Sequence, residues 1–153
     1  MENMVLYASR SGNTKQVGNA IAEALDCKAV DLKKTGVEEI KLDDIKNIFL
    51  GSGIYAEFMN PKIKKFVKSD NLKKAAEKSG KNVIFFVTWV GNPGSVQHAI
   101  EKTVKDIPEN GVYIYTDHFR AYGSMLKIFK KGHPTREELM QAKEWAREVI
   151  DII

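Results

Sequence analysis

Short apolar runs alternate with helical patterns along most of the chain. The runs predict strands at Val5–Ser9, Cys27–Leu32, Ile45–Gly51, Val83–Thr88 and Val112–Thr116. The fourth run is nearly continuous, which is typical of a strand that is buried on both faces of a parallel sheet. Because the intervening stretches carry apolar residues at helical spacing, the pattern predicts an α/β fold with helices on both faces of that sheet.

Four helices are predicted between and after these strands. The last one has the clearest start, because Thr135 and Glu138 make a capping box directly after Pro134. Apolar residues at helical spacing predict the other three helices, which follow Thr14, Pro61 and Gly94. Glycine-containing or serine-rich turns follow the first, third and fourth strands, where the carboxyl ends of a parallel sheet place ligand sites.

The size of the chain agrees with one domain over residues 1–153. With 43% hydrophobic residues, these 153 residues can form a core without a metal or a disulfide. The longest mostly apolar run, Val83–Val90, is well short of the roughly 20 residues that span a bilayer. The single cysteine, Cys27, cannot form an internal disulfide. We therefore expect no membrane span and a cytoplasmic location.

The positive charge is concentrated in one region. Between Pro61 and Asn82 only Asp70 and Glu77 oppose eight lysines, Lys62, Lys64, Lys65, Lys68, Lys73, Lys74, Lys78 and Lys81, while the whole chain carries +4. Nucleic-acid sites usually add arginines and exposed aromatic residues to such a region, and neither occurs here, so no nucleic-acid partner is expected. The region is a solvated face or a docking surface for an acidic protein.

The turn after the first strand has the composition of a phosphate site. Ser9, Ser11 and Thr14 supply hydroxyls, Asn13 supplies an amide, and Gly12 allows a close backbone turn before the helix. The segment lacks the lysine of a Walker loop and the glycine spacing of a dinucleotide fingerprint. Since the same residues are common in ordinary capped turns, the composition alone leaves both interpretations open.

Four segments together resemble the flavodoxin family. The segment 9–14, Ser-Arg-Ser-Gly-Asn-Thr, is similar to the flavodoxin phosphate loop, Thr/Ser-x-Thr/Ser-Gly-x-Thr, and follows the first strand as that loop does. Ile48–Tyr55 is similar to the third strand and the flavin loop that follows it, Phe85–Trp89 to the fourth strand and the second flavin loop, and Gly132–Pro134 to a segment before the last helix. The resemblance covers nearly the whole chain and implies a three-layer flavodoxin-like sandwich with five parallel strands in the order 2-1-3-4-5.

The resemblance also implies non-covalent FMN, with its phosphate on the first loop and its ring between the other two. The implied binding residues are Ser9, Arg10, Ser11, Gly12, Asn13, Thr14, Ser52, Gly53, Ile54, Tyr55, Ala56, Thr88, Trp89, Val90 and Gly91. Tyr55 and Trp89 are the candidates to stack on the ring, and Glu57 is a candidate to accept a hydrogen bond from a ring N–H. The three histidines are isolated in the sequence, so we expect no metal site and assign no catalytic residue.

Two features depart from the usual family pattern. In many flavodoxins a peptide of the first flavin loop reverses on one-electron reduction and glycine permits the change, but here the glycines precede Tyr55. The chain is also basic, and positive charge near the ring would favour the anionic reduced flavin.

Three functions remain open from the sequence. The first is an electron carrier between a reductase and an acceptor, with redox partners docking through Lys62, Lys64, Lys65 and Lys68. The second is a flavin-dependent oxidoreductase acting on a quinone or a porphyrinogen, which the same fold could support. The third is a non-catalytic protein-binding module.

Overall fold

A parallel sheet of five long strands forms the centre of the structure, a computed structural model that describes residues 2–123 and 132–153. The strands are β1 (Asn3–Ala8), β2 (Lys28–Asp31), β3 (Asn47–Tyr55), β4 (Phe58–Met59), β5 (Lys81–Trp89) and β6 (Val112–Tyr122). Their order is β2-β1-β3-β5-β6, and the two-residue β4 pairs antiparallel with β3. Counted without β4, this is the predicted order 2-1-3-4-5.

In the described part of the chain, five helices connect and flank the strands. They are α1 (Asn13–Ala24), α2 (Pro61–Val67), α3 (Asp70–Lys78), α4 (Gly94–Val104) and α5 (Arg136–Ile152), and a 3-10 turn covers Val37–Glu39. The predicted capping box of the last helix is confirmed. The Thr135 Oγ1 atom accepts a 3.2 Å hydrogen bond from the Glu138 N–H, and Glu138 Oε2 accepts one of 2.6 Å from the Thr135 N–H. Within residues 2–123 and 132–153, no helix combines the length and apolarity needed to cross a bilayer.

Alternating side chains of the strands build two cores, one on each face of the sheet. On β1, Leu6 faces a core formed with α2, α3 and α4, whereas Val5 faces a core formed with α1 and α5. On β5, Phe85 and Phe86 divide between the same two cores, and all four of these side chains are at most 1% exposed. Burial on both faces explains why these strands are almost uniformly apolar in the sequence.

The third strand is longer than predicted, because it does not end at Gly51. Strand β3 continues through Ser52 and Gly53 to Tyr55 and stays paired with β5 as far as the Gly53–Thr88 pair. The phenyl ring of Phe86 explains the glycine at position 51, because a Cβ atom there would lie 2.0 Å from the ring. Gly51 is thus a packing position inside a strand, where the sequence predicted a turn.

The end of the last strand also differs from the prediction. Strand β6 continues to Tyr122 rather than ending at Thr116, and it carries extra residues opposite β5, since Ile114 pairs with Val83 but His118 already pairs with Phe85. This bulge interrupts the alternating pattern that defines a strand in a sequence.

The helix predicted after Pro61 is in fact two helices. Ser69 begins the second one, α3, because its Oγ atom accepts a 3.2 Å hydrogen bond from the Leu72 N–H.

The contact between Gly51 and Phe86 leads to a stability prediction. We expect Gly51→Ala to lower the free energy of unfolding by about 1–3 kcal/mol or more, because the methyl group must displace a fully buried ring. The measurement is urea unfolding followed by circular dichroism. Gly80→Ala is the matched control, because a Cβ atom at that position meets the exposed ring of Tyr113, which has room to move. Equal effects of the two substitutions would contradict the proposed packing role of Gly51.

Candidate functional site

A cleft of about 280 Å³ opens at the carboxyl ends of β1, β3 and β5. It is formed by the loop after β1, the end of β3 with its turn, and the end of β5. Its lining residues are Ser11, Asn13, Thr14, Gly53, Ile54, Tyr55, Ala56, Thr88, Trp89, Val90 and Gly123. The cleft therefore lies where parallel α/β sheets place their ligands.

The loop between β1 and α1 turns tightly at Gly12. This glycine has a φ of 91°, in the left-handed region that glycine adopts without strain, and its N–H donates a 3.0 Å hydrogen bond to Ser9 Oγ. Next to it, the Asn13 side-chain amide donates a 2.8 Å bond to Ser11 Oγ. Gly12 is the N-cap of α1 and has no side chain to cap the helix. The positive end of the helix lies at the cleft, beside these hydroxyls and this amide.

A hydrogen bond between two threonines joins this loop to the end of β5. The Oγ1 atoms of Thr14 and Thr88 are 2.8 Å apart, and both residues are at most 5% exposed. Because the two hydroxyls are 74 residues apart in the chain, this bond fixes the distance between the loop and the floor of the cleft.

Positive charge surrounds the same loop. Lys33, from the segment after β2, donates a 2.9 Å hydrogen bond through Nζ to the Ser9 carbonyl. The Arg10 guanidinium lies 4.2 Å from the centre of the Tyr55 ring, a cation–π distance. The first turn of α1 has no acidic residue. The electrostatics of this end of the cleft therefore favour an anion.

The side chain of Tyr55 folds back along β3. A Cβ atom on Gly53 would lie 2.5 Å from the Tyr55 hydroxyl, so only glycine leaves room for this arrangement without moving the ring. Burial raises the pKa of the Tyr55 hydroxyl, although the N–H and the charge of Arg10 and a hydrogen bond with Asn60 act in the opposite direction. Tyr55 is thus held as a neutral side chain that connects the first two loops of the cleft.

The turn that follows Tyr55 has an unusual backbone. Tyr55 pairs with Phe58 across a two-residue turn, in which Ala56 and Glu57 have φ values of 44° and 68°. Positive φ at both central residues matches the turn that joins tight hairpins, which normally contain glycine or asparagine. Each such non-glycine residue costs on the order of 1 kcal/mol.

Helix α4 holds the tip of this turn in place. The carboxylate of Glu57 accepts a 3.2 Å hydrogen bond from His98 Nδ1 and lies 3.8 Å from Lys102 Nζ. These two contacts attach the strained turn to α4. The position of the cleft wall formed by Tyr55 and Ala56 therefore depends partly on residues that lie outside the cleft.

Aromatic side chains support the opposite wall, which is formed by Trp89. Its ring centre lies 5.0 Å from that of Tyr122, and the Tyr122 ring centre lies 5.3 Å from that of His133. The carboxylate of Glu138 binds this group together, because it accepts hydrogen bonds from the Tyr122 N–H at 3.1 Å and makes a 2.8 Å contact with His133 Nδ1. The start of α5 is thereby connected to the Trp89 wall.

Most of the predicted site residues line the cleft, and five do not. Ser9 and Gly12 shape the first loop through their hydrogen bond, and the Arg10 guanidinium lies over the Tyr55 ring. Gly91 is not among the residues that line the cleft. Ser52 is fully buried, with its Oγ atom donating to the Gly53 carbonyl and accepting from the Asn60 N–H, so its role here is to hold the backbone.

Three residues that contribute to the site, Gly123, His98 and His133, were not predicted from the sequence. Gly123 lines the cleft, but the predicted fifth strand ended before it. The glycine after Ala121 and Tyr122 was the available signal for a strand that ends at the same edge. His98 and His133, which are isolated in the sequence, each contact a glutamate in the structure, and only the pair of His133 with Glu138 had a sequence signal, the capping box.

A protein-family model described as "Flavodoxin domain" matches residues 4–118, about three quarters of the chain. No curated protein matches the chain significantly.

Solved structures share the fold over nearly the full chain. A flavodoxin from the domain Archaea is 19% identical with a TM-score of 0.73 and covers 99% of this chain and 97% of its own. A flavodoxin, WrbA-like protein from Agrobacterium tumefaciens is 17% identical with a TM-score of 0.76, and the coverage is 99% and 96%. Fusobacterium nucleatum flavodoxin bound to flavin mononucleotide is 18% identical with a TM-score of 0.65, covering 100% and 99%.

The contacts of Glu138 lead to a prediction about pH. Burial acts to raise the pKa of this carboxyl, but hydrogen bonds from Thr135, His133 and Tyr122 outweigh it, so the pKa lies below its ordinary value. A lowered pKa stabilises the folded state above the carboxyl's unfolded pKa, about 4.3, and this stabilisation is lost as the pH falls through the folded pKa.

We therefore expect Glu138→Gln to cost about 1–2 kcal/mol of unfolding free energy at pH 7, and progressively less below pH 4. Urea unfolding at a series of pH values measures the difference from the unsubstituted protein. Glu148→Gln, at an exposed position on the same helix, is the control. A cost that is independent of pH would show that the charge of Glu138 is not what stabilises the cap.

Proposed function

We propose that this chain, which belongs to the flavodoxin family, binds FMN non-covalently in the cleft and carries electrons between redox proteins. The observation that carries the proposal is the position of the loop Ser9–Thr14. This loop presents a helix N-terminus, hydroxyls and an amide at one end of a cleft whose other walls are apolar and aromatic. FMN has the same two parts, a phosphate and a flat ring.

The residues of the first loop fit the phosphate. Ser11 and Thr14 line the cleft with hydroxyls, and Asn13 begins the helix whose positive end faces it. The charges of Arg10 and Lys33 lie close to the loop and would favour a dianion there. The fifteen residues named from the sequence stay a proposal, to which we add Gly123.

The walls of the cleft fit a flat ring. Tyr55 and Trp89 lie on different walls and offer aromatic surface and apolar contact, and these contacts exclude water. Ligand cavities are usually about 300–1,000 Å³, so a cleft of about 280 Å³ is small for the whole cofactor. One edge of the ring would therefore stay at the surface, where another protein can reach it. When bound, FMN supplies the redox chemistry by accepting and donating one or two electrons.

A specific observation supports a second candidate, a flavin-dependent oxidoreductase acting on a quinone or a porphyrinogen. The turn Ala56-Glu57 contains no glycine and is held by His98 and Lys102. A turn fixed in this way resists the peptide reversal that supports one-electron chemistry in many flavodoxins, and resistance to it favours two-electron transfer to a small acceptor. We rank this candidate second because the cleft offers little volume for a second ligand beside a bound ring.

Redox proteins are the proposed partners. The four lysines named from the sequence as their docking site lie in α2 and directly after it, and they divide into two pairs. Lys65 lies 3.5 Å from Glu38, and Lys68 lies 3.3 Å from Asp106, so these charges are partly compensated. Lys62 and Lys64 have no carboxylate partner among residues 2–123 and 132–153. We therefore propose docking through Lys62 and Lys64 more than through the other two. A cytoplasmic location, where electron carriers of this kind meet their partners, is part of the same proposal.

The phosphate assignment is tested by Ser11→Ala combined with Thr14→Ala. Hydrogen bonds to charged groups contribute about 1.5–3 kcal/mol each, so we expect the affinity for FMN to fall on the order of 100-fold or more. Affinity for riboflavin, which lacks the phosphate, should change far less. Flavin fluorescence titration measures both, and Thr116→Ala, an exposed hydroxyl on β6, is the control. Equal losses for FMN and riboflavin would contradict a phosphate site in this loop.

The type of electron transfer is tested by stepwise reduction of the FMN-loaded, desalted protein without oxygen. For an electron carrier we expect two separate one-electron steps, seen as a long-wavelength absorption band that appears and then disappears. Direct bleaching in a single step would favour the oxidoreductase instead. Protein that retains no FMN after desalting would leave the third alternative, a protein-binding module without a cofactor.

A further inference from the structure

An exposed phenylalanine lies beside the cleft. The large apolar side chains that are exposed among residues 2–123 and 132–153 are Phe58, Tyr113, Met140, Ile152 and Ile153. Of these, only Phe58 belongs to the hairpin that forms a wall of the cleft, where it pairs with Tyr55. The Phe58 residue is 48% exposed. Single exposed apolar residues are common on proteins, so its position and its neighbours decide what it can do.

The neighbours of Phe58 are lysines from two helices. The Nζ atom of Lys102, on α4, lies 4.2 Å from the ring centre, and that of Lys64, on α2, lies 5.8 Å from it. Lys62 is exposed in the first turn of α2, which begins directly after β4 and the cap residue Asn60. We call Phe58, Lys62, Lys64 and Lys102 the Phe58 patch.

Among the described residues, the positive charge of the patch is partly compensated at Lys102 but not at Lys62 and Lys64. Glu57 precedes Phe58, but its carboxylate is shared between His98 and Lys102. Lys62 and Lys64 have no carboxylate partner in the described part of the chain. An aromatic side chain beside two lysines that lack a carboxylate partner is a combination that anchors and steers a protein partner of opposite charge.

We propose that the Phe58 patch is the docking surface for an acidic redox protein. An apolar part of that protein would contact Phe58, and its carboxylates would lie around the lysines. The proposal rests on the proposed function, because electron transfer is what makes a surface next to the cleft useful. Docking here brings the partner's redox centre to the open edge of the cleft. The lysines act on the association rate and its dependence on salt, and Phe58 acts on how well the docked partner is held.

The test uses FMN-loaded protein that has been fully reduced with dithionite, separated from excess reductant and mixed with a haem protein in a stopped-flow instrument. Two ferric haems each accept one electron from one reduced flavin and become ferrous, and the flavin protons pass to the solvent. Cytochrome b5, which is acidic, stands in for the partner, and cytochrome c, which is basic, is the comparison. Haem absorbance gives the rates over a range of salt concentrations.

We expect the unsubstituted protein to reduce cytochrome b5 faster than Lys62→Glu/Lys64→Glu by about tenfold or more at low salt, with the difference disappearing at high salt. The double substitution should speed the reduction of cytochrome c. Lys28→Glu/Lys46→Glu makes the same change in net charge where β2 and β3 begin, at the opposite end of the sheet, and should change the rates much less.

Phe58 is tested separately from the charges. We expect Phe58→Ser to slow the reduction of cytochrome b5 several-fold at every salt concentration while the flavin spectrum and the FMN affinity stay unchanged. Phe58→Leu, which keeps an apolar side chain, should recover most of the rate. A flavin affinity that falls together with the rate would assign Phe58 to the cleft wall and overturn its docking role.

The outcomes separate this inference from the proposed function. Reduction of both cytochromes at rates that neither the lysine pair nor Phe58 affects would overturn the patch and leave the electron carrier standing. The same result follows if the control pair at the far end of the sheet slows cytochrome b5 as much as the patch pair does. Protein that retains no FMN, or reduces neither cytochrome, would overturn the proposed function and the patch with it.

Discussion

The candidate site depends on the register between three neighbouring strands. Parallel pairing places Ala8 of β1 opposite Ser52 of β3, and Ser52 opposite Val87 of β5. These strands are covered by helices on both faces, so a shift of one residue would move apolar side chains from one core to the other. Once the register is fixed, the loop after β1, the turn after β3 and the end of β5 meet at one edge. The Thr14–Thr88 hydrogen bond is a local consequence of this arrangement.

Glycine has two different uses around this edge, and they explain which parts of the site could be predicted. Gly12 turns the backbone at a φ of 91°, and turns of this kind have a sequence signal, so the first loop was placed correctly before α1. Gly51 and Gly53 instead leave space inside a strand for the side chains of Phe86 and Tyr55. A sequence shows that a glycine is present but not which side chain will cover it, and therefore β3 was predicted to end too early.

Contacts between residues far apart in the chain could not be predicted from the sequence, for a related reason. The capping box followed from a local pattern and the strand order from the family resemblance, and both are confirmed. The contact of Glu57 with His98 joins residues 41 positions apart, and each of the two is an ordinary surface residue within its own segment. The extension of β6 was missed because the bulge after Ile114 breaks the alternation, so Gly123 was lost from the predicted site. Local patterns predicted the strands and helices and the family resemblance pointed to the loops of the cleft, whereas the contacts that support those loops required the fold.

The two ends of the cleft differ in how their shape is maintained. At the end formed by the loop Ser9–Thr14, glycine and short polar side chains form a turn that needs no external support. At the end formed by the turn after Tyr55, Ala56 and Glu57 occupy conformations that cost on the order of 1 kcal/mol each, and surface ion pairs such as those of Glu57 contribute about 0–1 kcal/mol. The ion pairs alone therefore do not offset the strain, and the pairing of β4 with β3 and the packing of α4 against β4 must supply the rest. Since Phe58 belongs to β4, the segment that maintains the turn is also part of the proposed docking surface, so a protein bound there would act on the shape of the cleft wall.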